Sequence, residues 1–317
     1  MHLPRRAMVR SFRSSCVLAA GIAAAACSDA TSSVPVLDSR IIAFVSDSAN
    51  PGGSSIFIMH ADGSHKTPLT SPHFHDQAPA WSPDGSSITF ETNRDPAGIW
   101  IMNADGGNQR PLVTLPEFYS PLDLHWSPDG RSIAFVAFTT GTAGAIMIAD
   151  ADGKNAHRLT MNTRGEHWPS WSPDGARIAF MEGVDSVGWS IFVVNRDGSG
   201  QQRITYGIDY QPEWSPDGSR IAFTTYENSG LSQIDVVKPD GSDRHALTGS
   251  NNEFDAAWSP DGRQLAYDRP SADSLGAGPT EIYLVNANGS GARQITTFGS
   301  VAGAFSVSSE PAWKPTP

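Results

Sequence analysis

The chain has 317 residues, of which 39% are hydrophobic and 17% charged, with 30 glycines, 23 prolines and a formal net charge of −11. This length and apolar fraction allow one large globular domain or two ordinary ones, and they exclude a disordered, collagen-like or multi-span membrane protein. Because glycine and proline are plentiful and no long amphipathic segment stands out, we expect many short strands joined by turns, which is an all-β fold.

The N-terminal segment is typical of an export signal. Four arginines precede the apolar run CVLAAGIAAAA, residues 16–26, which is too short to span a bilayer as a helix. The run ends in small residues before Cys27 and resembles a bacterial lipoprotein box, with Ala24 where that box usually has Leu. We predict a signal peptide over 1–26 and a lipidated Cys27 that begins a flexible tether over 27–39. Ordinary signal cleavage is the alternative.

A repeated pattern fills the rest of the chain. The pentapeptide WSPDG occurs five times, and successive repeat tryptophans, including a sixth in a truncated copy, are 45, 45, 43, 44 and 55 residues apart. An alternating apolar segment follows each of the first five tryptophans, and an Asp-Gly or Asn-Gly pair separates two further strand patterns in every unit. Each unit therefore predicts a blade of four strands, A to D, with a core tryptophan between blades: Trp81, Trp126, Trp171, Trp214, Trp258 and Trp313.

The two ends of the repeat region complement each other. The first unit, which begins at Ile42, has strands B, C and D but no strand A, whereas the last residues around Trp313 supply a strand A with nothing after it. We therefore predict that residues 40–317 form a six-bladed β-propeller of four-stranded antiparallel blades. Its C-terminal strand joins the first blade and closes the ring.

The pattern P-x-W-S-P-D-G, followed by I-A-F, I-Y-x-M-x-x-D-G and L-T, resembles the TolB-like β-propeller repeat, which is related to the WD repeat. The resemblance covers residues 40–317 and implies a translocation or interaction partner in the periplasm. TolB itself carries an additional N-terminal α/β domain for which this sequence leaves no length, so we expect a TolB-like propeller that is not TolB itself. A few similar propellers are oligogalacturonate lyases with a histidine-bound metal, which keeps an enzyme open as an alternative.

Loop lengths and charge distinguish the two faces of the predicted propeller. All length variation lies in the B–C and D–A loops, which share one face, and variable loops on a rigid scaffold commonly carry binding sites. These loops hold 17 acidic and three basic residues, whereas the opposite turn face is about neutral. We expect the acidic loop face to bind a cationic partner, either another envelope protein or an exported basic peptide.

Acids recur five residues before the repeat tryptophan in four of the six units, with aromatic residues beside them. Because each D–A loop leads into the innermost strand, we predict a funnel at the channel rim that holds a cation with carboxylates and aromatic faces. The alternative is that these acids cap strand ends or bond to neighbouring backbone. The predicted rim residues are Asp76, Glu166, Asp209, Glu253, His75, His167, Trp168, Tyr210 and Phe254.

Motifs for catalysis are absent from the sequence, which has no G-x-S-x-G elbow, phosphate loop or dinucleotide fingerprint. Four histidines, His73, His75, His125 and His167, lack a recurring ligand spacing, so we predict no cofactor and keep a divalent cation at the channel mouth only as an alternative. The acidic net charge is unfavourable for binding nucleic acid. We expect a monomeric, non-catalytic binding module, lipid-anchored on the periplasmic side or the outer membrane. The alternatives are a metal-dependent or polysaccharide-active lyase or hydrolase at the channel mouth and a sensor domain with a separately encoded partner.

Overall fold

The parts of the chain that the computed structural model describes are residues 40–47, 53–113, 118–139, 143–161, 164–184, 188–226, 230–249, 251–270, 280–297 and 308–316. Within these ranges the regular elements are all β-strands, so the predicted all-β fold is confirmed. In chain order they are β1 (Ile41–Ser46), β2 (Ser55–His60), β3 (Thr67–Pro68), β4 (Asp76–Trp81), β5 (Ser87–Thr92), β6 (Gly98–Asn103), β7 (Arg110–Val113), β8 (Phe118–Trp126), β9 (Ser132–Thr139), β10 (Ala145–Asp150), β11 (His157–Arg158), β12 (Glu166–Trp171), β13 (Arg177–Val184), β14 (Gly188–Asn195), β15 (Gln202–Arg203), β16 (Asp209–Trp214), β17 (Ile221–Tyr226), β18 (Ser232–Val237), β19 (His245–Ala246), β20 (Phe254–Trp258), β21 (Gln264–Pro270), β22 (Thr280–Asn286), β23 (Arg293–Gln294) and β24 (Ser308–Trp313).

The predicted signal peptide, the lipid on Cys27 and the tether precede residue 40 and lie outside the described residues, so they stay predictions. Among the residues that are described, no helix is long and apolar enough to cross a membrane.

The strands form six antiparallel sheets of four strands each, which are the blades of the propeller. Blade 1 has the order β24-β1-β2-β3 and so combines the two ends of the repeat region. In the other five sheets the order follows the chain: β4–β7 form blade 2, β8–β11 blade 3, β12–β15 blade 4, β16–β19 blade 5 and β20–β23 blade 6. The first strand of each blade, strand A, contacts strand A of both neighbouring blades, so the six A strands surround the propeller axis.

Ring closure occurs where the sequence predicted it. On β24 and β1, Trp313 lies opposite Ile42 and Ala312 lies opposite Ala43. The ladder continues past β24, because the N–H of Lys314 donates to the carbonyl of Ile41 at 2.8 Å. The C-terminal strand thus covers the edge of β1 that would otherwise expose unpaired backbone groups.

The WSPDG segments form the turns between strands A and B. In the first, Ser82 donates its hydroxyl to Asp84 Oδ1 at 2.6 Å, and the same oxygen accepts the N–H of Ser86 at 3.0 Å. Gly85 has a φ of 65°, which a glycine adopts without a Cβ penalty. The same serine–aspartate bond occurs at Asp129, Asp174, Asp217 and Asp261. These aspartates therefore fix turns, as the pattern indicated.

Each repeat tryptophan is at most 9% exposed and lies in an apolar cluster between its own blade and the preceding one. Trp313, for example, packs with Ile42 and Phe44 of blade 1 and with Ile282 and Leu284 of blade 6. Burial of a large aromatic side chain at every interface stabilises the ring, since truncating one typically costs about 3–5 kcal/mol.

Candidate binding site in the axial channel

Every strand A contains a β-bulge before its tryptophan. In blade 4, His167 pairs with Met181 and Ser170 pairs with Ala179, so β12 has one extra residue between the two pairs. The register shifts at the corresponding place in the other five blades. One bulge residue has a left-handed backbone, with φ between 49° and 55°, and a bulge of this kind re-aims side chains. We call these six residues the channel ring: Ala78, Asp123, Trp168, Gln211, Asp255 and Glu310.

The channel ring surrounds a cavity of about 770 Å³ on the propeller axis, which all six A strands line. From the ring the wall continues past the repeat tryptophans to prolines of the WSPDG turns at the other end of the strands. A cavity of this volume, with polar groups converging on it, is typical of a binding site. The axial channel is therefore the candidate functional site.

Carboxylates line the side of the channel formed by blades 6, 1, 2 and 3. Asp255, Glu310 and Asp123 belong to the channel ring, and Glu91 joins them from β5. We call these four residues the acidic arc. The N–H of Ala78 donates to Glu310 Oε2 at 2.5 Å, and the N–H of Asp123 donates to Glu91 Oε1 at 2.6 Å. In the described part of the chain, no lysine or arginine lines the channel to balance this charge.

Burial and the charge of neighbouring carboxylates raise the pKa values of Glu91, Asp255 and Glu310. Burial, followed by the charge of Asp123, raises the pKa of Glu91 to about 8. Burial also raises the pKa of Asp255 well above its ordinary value, with further increases from Asp268 and Glu310. The pKa of Glu310 is raised mainly by burial. Shifts in this direction indicate that the carboxylates lack compensating positive charge.

At blade 4 the channel wall is aromatic, and a ring from blade 3 packs beside it. The ring of His167 lies 5.6 Å from that of Trp168, and 5.4 Å from those of Trp189 and Phe138. The Nδ1 atom of His167 lies 3.4 Å from Asp123 Oδ2, so the aromatic side adjoins the acidic arc. Trp168 and His167 both line the cavity.

A second aromatic group spans blades 5 and 6 beside the channel. The ring of Tyr226 lies 5.6 Å from Tyr210 and 6.1 Å from Phe254. Tyr226 is 37% exposed, so this group reaches the surface. We call the two aromatic groups together the aromatic arc.

Further along the wall, His125 faces Glu213, with 3.4 Å between His125 Nε2 and Glu213 Oε2. Burial lowers the pKa of His125, but the charge of Glu213 and the hydrogen bond to it outweigh burial, so the pKa is raised overall. Ser170 also donates its hydroxyl to Glu213 Oε2 at 2.9 Å. Glu213 on β16 of blade 5 therefore links to His125 on β8 of blade 3 and to Ser170 on β12 of blade 4.

The four acids that the sequence predicted at the rim lie behind the channel ring. Arg94 pairs with Asp76 at 2.6 Å, and Arg244 pairs with Asp209 at 3.1 Å. Glu166 accepts a backbone N–H of β10 at 2.9 Å. The two arginine contacts lie within a blade, whereas the Glu166 contact reaches from blade 4 to β10 of blade 3. Bonding to neighbouring backbone, as at Glu166, was the alternative interpretation of the acids. Each of the four acids is at most 1% exposed, and none lines the cavity: Asp76, Glu166, Asp209 and Glu253. Ligand binding by these acids stays a prediction.

The β-bulge explains this placement. In an unbroken strand, residues five apart point to opposite faces, so an acid five residues before a core tryptophan would point away from the core. In blade 4, however, Glu166 and Trp171 pair with Glu182 and Ile178, which are four apart and share a face. The extra residue in the bulge therefore brings acid and tryptophan to the same side, between the blades.

The structure brings some predicted aromatic residues together and separates others. His167 and Trp168 line the channel, and Tyr210 and Phe254 meet across Tyr226 beside it. His75 is exposed and does not line the cavity. Four site residues that sequence reasoning missed precede the tryptophan by three positions, which is the signal that could have identified them: Asp123, Gln211, Asp255 and Glu310. Glu91 and Glu213 were missed as well and do not have this spacing.

The four candidate metal-binding histidines are divided in the same way. His125 and His167 line the channel, whereas His73 and His75 are exposed outside it. Among the described residues, no three His, Cys, Asp or Glu side chains are placed to hold a metal ion. Carboxylates and aromatic faces around one cavity suit an organic cation, which both attract.

Two solved structures of TolB-like proteins resemble this chain. TolB from Acinetobacter baumannii superposes with a TM-score of 0.74 at 18% identity, covering 88% of this chain and 67% of that chain. A TolB candidate from Agrobacterium tumefaciens gives a TM-score of 0.68 at 20% identity, covering 88% of this chain and all of the other. At these identities the likeness shows the shared fold.

An oligogalacturonate lyase in complex with manganese is also similar, with a TM-score of 0.52 and 15% identity, covering 84% of this chain and 76% of the lyase. This likeness, too, is one of fold. No curated protein matches the sequence. The family model for the TolB beta propeller domain matches residues 34–183 and 98–277, which together are more than half of the chain. The chain therefore belongs to the TolB beta propeller domain family.

Proposed function

We propose that this chain is a non-catalytic binding module of the bacterial cell envelope, which takes a cationic segment of another envelope protein or of an exported peptide into its axial channel. One observation carries the proposal. Five acids line the channel in the described part of the chain, and no lysine or arginine does: Glu91, Asp123, Glu213, Asp255 and Glu310. Such a channel concentrates cations, because low-dielectric walls strengthen its field.

The aromatic arc favours an organic cation within that class. An ammonium or guanidinium group that binds the acidic arc would also meet the rings of Trp168 and His167, which line the same cavity. Cation–π contacts of this kind contribute about 0.5–2 kcal/mol, and the methylene stem of a lysine or arginine packs against the same rings. The cavity volume of about 770 Å³ accommodates several side chains of an extended peptide.

We propose the cell envelope as the location because of the N-terminal pattern. The basic segment, the apolar run and Cys27 are those of an exported lipoprotein. The family assignment supports the same environment. A lipid on Cys27 would hold the propeller at a membrane surface, with the tether of residues 27–39 between them.

The test is a titration with a lysine-rich peptide in which tryptophan fluorescence or calorimetry measures the binding. We expect the triple variant Asp123→Asn, Asp255→Asn, Glu310→Gln to bind at least tenfold more weakly, a change of about 1.4 kcal/mol. Affinity of the wild-type protein should also fall with salt, since the attraction is electrostatic.

The matched control removes the same charge from turns between strands C and D: Asp105→Asn, Asp152→Asn, Asp240→Asn. At these positions the carboxylate accepts a nearby backbone N–H, a bond that asparagine retains. The control should bind like the wild type. Equal weakening of both triple variants would show that net charge, and not the channel, attracts the peptide.

A further inference from the structure

Exposed large hydrophobic side chains lie on one face of the propeller. Within the described residues there are five, between 37% and 84% exposed, and all lie in or beside the B–C and D–A loops: Phe74, Met161, Tyr206, Ile208 and Tyr226. The opposite turn face has none in the described part of the chain. Single exposed hydrophobic residues are ordinary on a protein surface, whereas a contiguous group of them is typical of an interaction site.

Three of these residues belong to a contiguous group at blade 5. Tyr206 and Ile208 lie in the loop between β15 and β16, and the N–H of Tyr226 on β17 donates to the carbonyl of Ile208 at 3.1 Å. The ring of Tyr226 lies 5.6 Å from that of Tyr210 and 6.1 Å from that of Phe254. We call these five residues the loop-face patch.

The loop-face patch begins at the channel. Tyr210 and Phe254 directly precede Gln211 and Asp255 of the channel ring, and the amide of Gln211 donates to Asp255 Oδ1. The 5.6 Å between the rings of Tyr210 and Tyr226 corresponds to about two residues of an extended chain, which advances roughly 3.3 Å per residue. A peptide that leaves the channel over blades 5 and 6 therefore places its next few residues on the patch.

The outer end of the patch favours an apolar residue of the ligand over a second cation. The guanidinium of Arg203 lies 4.5 Å from the ring centroid of Tyr206 and donates to the hydroxyl of Ser190 at 2.9 Å. Tyr206 is nevertheless 75% exposed, so most of its side chain is accessible to a partner. The charge of Arg203 repels a lysine or arginine at this place, whereas an aliphatic or aromatic side chain buries apolar surface against Tyr206 and Ile208.

The charge of the loop face favours a peptide over the other partners that an apolar patch can bind. The loops of this face hold 17 acidic and three basic residues. These acids repel a membrane surface that carries anionic lipids, and a second copy docked through the same face would bring its own acidic loops against them. A cationic peptide is attracted instead.

We infer that the loop-face patch binds the apolar flank of the peptide whose cationic residue enters the channel. The ligand is then a segment in which aromatic or aliphatic side chains stand within a few residues of a lysine or arginine. This inference rests on the proposed function and specifies the sequence class of its ligand.

The experiment compares two acetylated and amidated peptides of equal charge by calorimetry, Lys-Lys-Gly-Leu-Phe-Leu and Lys-Lys-Gly-Ser-Ser-Ser. We expect the wild-type protein to bind the apolar peptide about tenfold more tightly, because its flank buries apolar surface on the patch. The double variant Tyr206→Ser, Tyr226→Ser should lose this preference and bind the serine peptide like the wild type, since its channel is unchanged.

Met161→Ser is the matched control, because Met161 is 84% exposed on a neighbouring loop of the same face and lies outside the patch. This variant should keep the preference for the apolar peptide. The triple variant Asp123→Asn, Asp255→Asn, Glu310→Gln should weaken the binding of both peptides by the same factor, because it removes the charge that the two lysines share.

Equal affinity of the wild type for the two peptides would overturn this inference and leave the proposed function in place. Loss of the preference in Met161→Ser would also overturn it, since the patch would not be the site. Sedimentation alone and with phosphatidylcholine vesicles tests the other occupants: a dimer or vesicle-bound protein that only the double tyrosine variant dissociates would overturn the inference in favour of a second copy or a lipid surface. Binding of neither peptide would refute both the inference and the proposed function.

Discussion

Ring closure by the C-terminal strand makes a quantitative prediction for Trp313→Ala. Trp313 is 7% exposed, and its Nε1–H donates to the carbonyl of Ala257 in blade 6 at 3.1 Å. The guanidinium of Arg40 lies 4.8 Å from the centroid of its ring. Replacing a buried tryptophan by alanine costs about 3–5 kcal/mol. For a domain of this size about 2–4 °C is lost per kcal/mol, so we expect the melting temperature to fall by roughly 6–20 °C.

Deletion of residues 311–317 should lower the melting temperature further than Trp313→Ala does. It removes Trp313 and also the part of β24 that pairs with Ile42 and Ala43. Because the deletion uncovers the edge of β1, we also expect concentration-dependent aggregation. Thermal unfolding followed by near-ultraviolet circular dichroism, together with light scattering, measures both effects.

Two control variants distinguish the effect of ring closure on stability from the effect of losing a single side chain. Lys314→Ala keeps the backbone bond to Ile41 and removes only a cation above the ring of Trp81, so it should cost less than about 1 kcal/mol. Trp258→Ala removes an equally buried tryptophan from a strand inside the chain and should resemble Trp313→Ala. If the deletion variant melts within 2 °C of the wild type, the C-terminal strand does not close the ring in solution.

Two further predictions concern pH and localisation. Burial raises the pKa of Glu91 to about 8 and that of Asp268 to about 7, so the folded state holds more protons than the unfolded chain, and stability should fall as pH rises from about 5 to 8. Hydrogen bonds from serine lower the pKa of four turn aspartates: Asp84, Asp129, Asp174 and Asp217. The contribution of these aspartates to the stability of the folded state is lost below about pH 4. The melting temperature should therefore be highest near pH 4–6, with a flatter decline in Glu91→Gln; a rise between pH 5 and 8 would contradict this reasoning. Cys27→Ala should shift the protein from the membrane to the soluble fraction, and unchanged fractionation would disprove the lipid anchor.

The sequence by itself determined the architecture, because the information is local and repeated. Each WSPDG segment encodes a turn through its serine, aspartate and glycine, and each tryptophan encodes an interface between blades. Six copies of that unit, with an unpaired strand pattern at either end, require closure between β24 and β1, and the structure has that pairing. The TolB-like family follows from the same residues.

The identity of the channel-facing residues was decided only by the tertiary structure. The acids five positions before the tryptophan, such as Glu166, were the natural candidates, but the bulge adds a residue and turns them between the blades. The residues three positions before it, such as Asp255, face the axis because of that bulge. A bulge depends on how strand A pairs with strand B, which strand periodicity alone does not encode.

The charge asymmetry of the channel is also a tertiary property. Glu91 and Glu310 are separated by most of the chain, and they become neighbours only because β24 completes blade 1, which packs beside blade 2. Burial beside other carboxylates, a consequence of packing six A strands around one axis, raises the pKa values of Asp255 and Asp268.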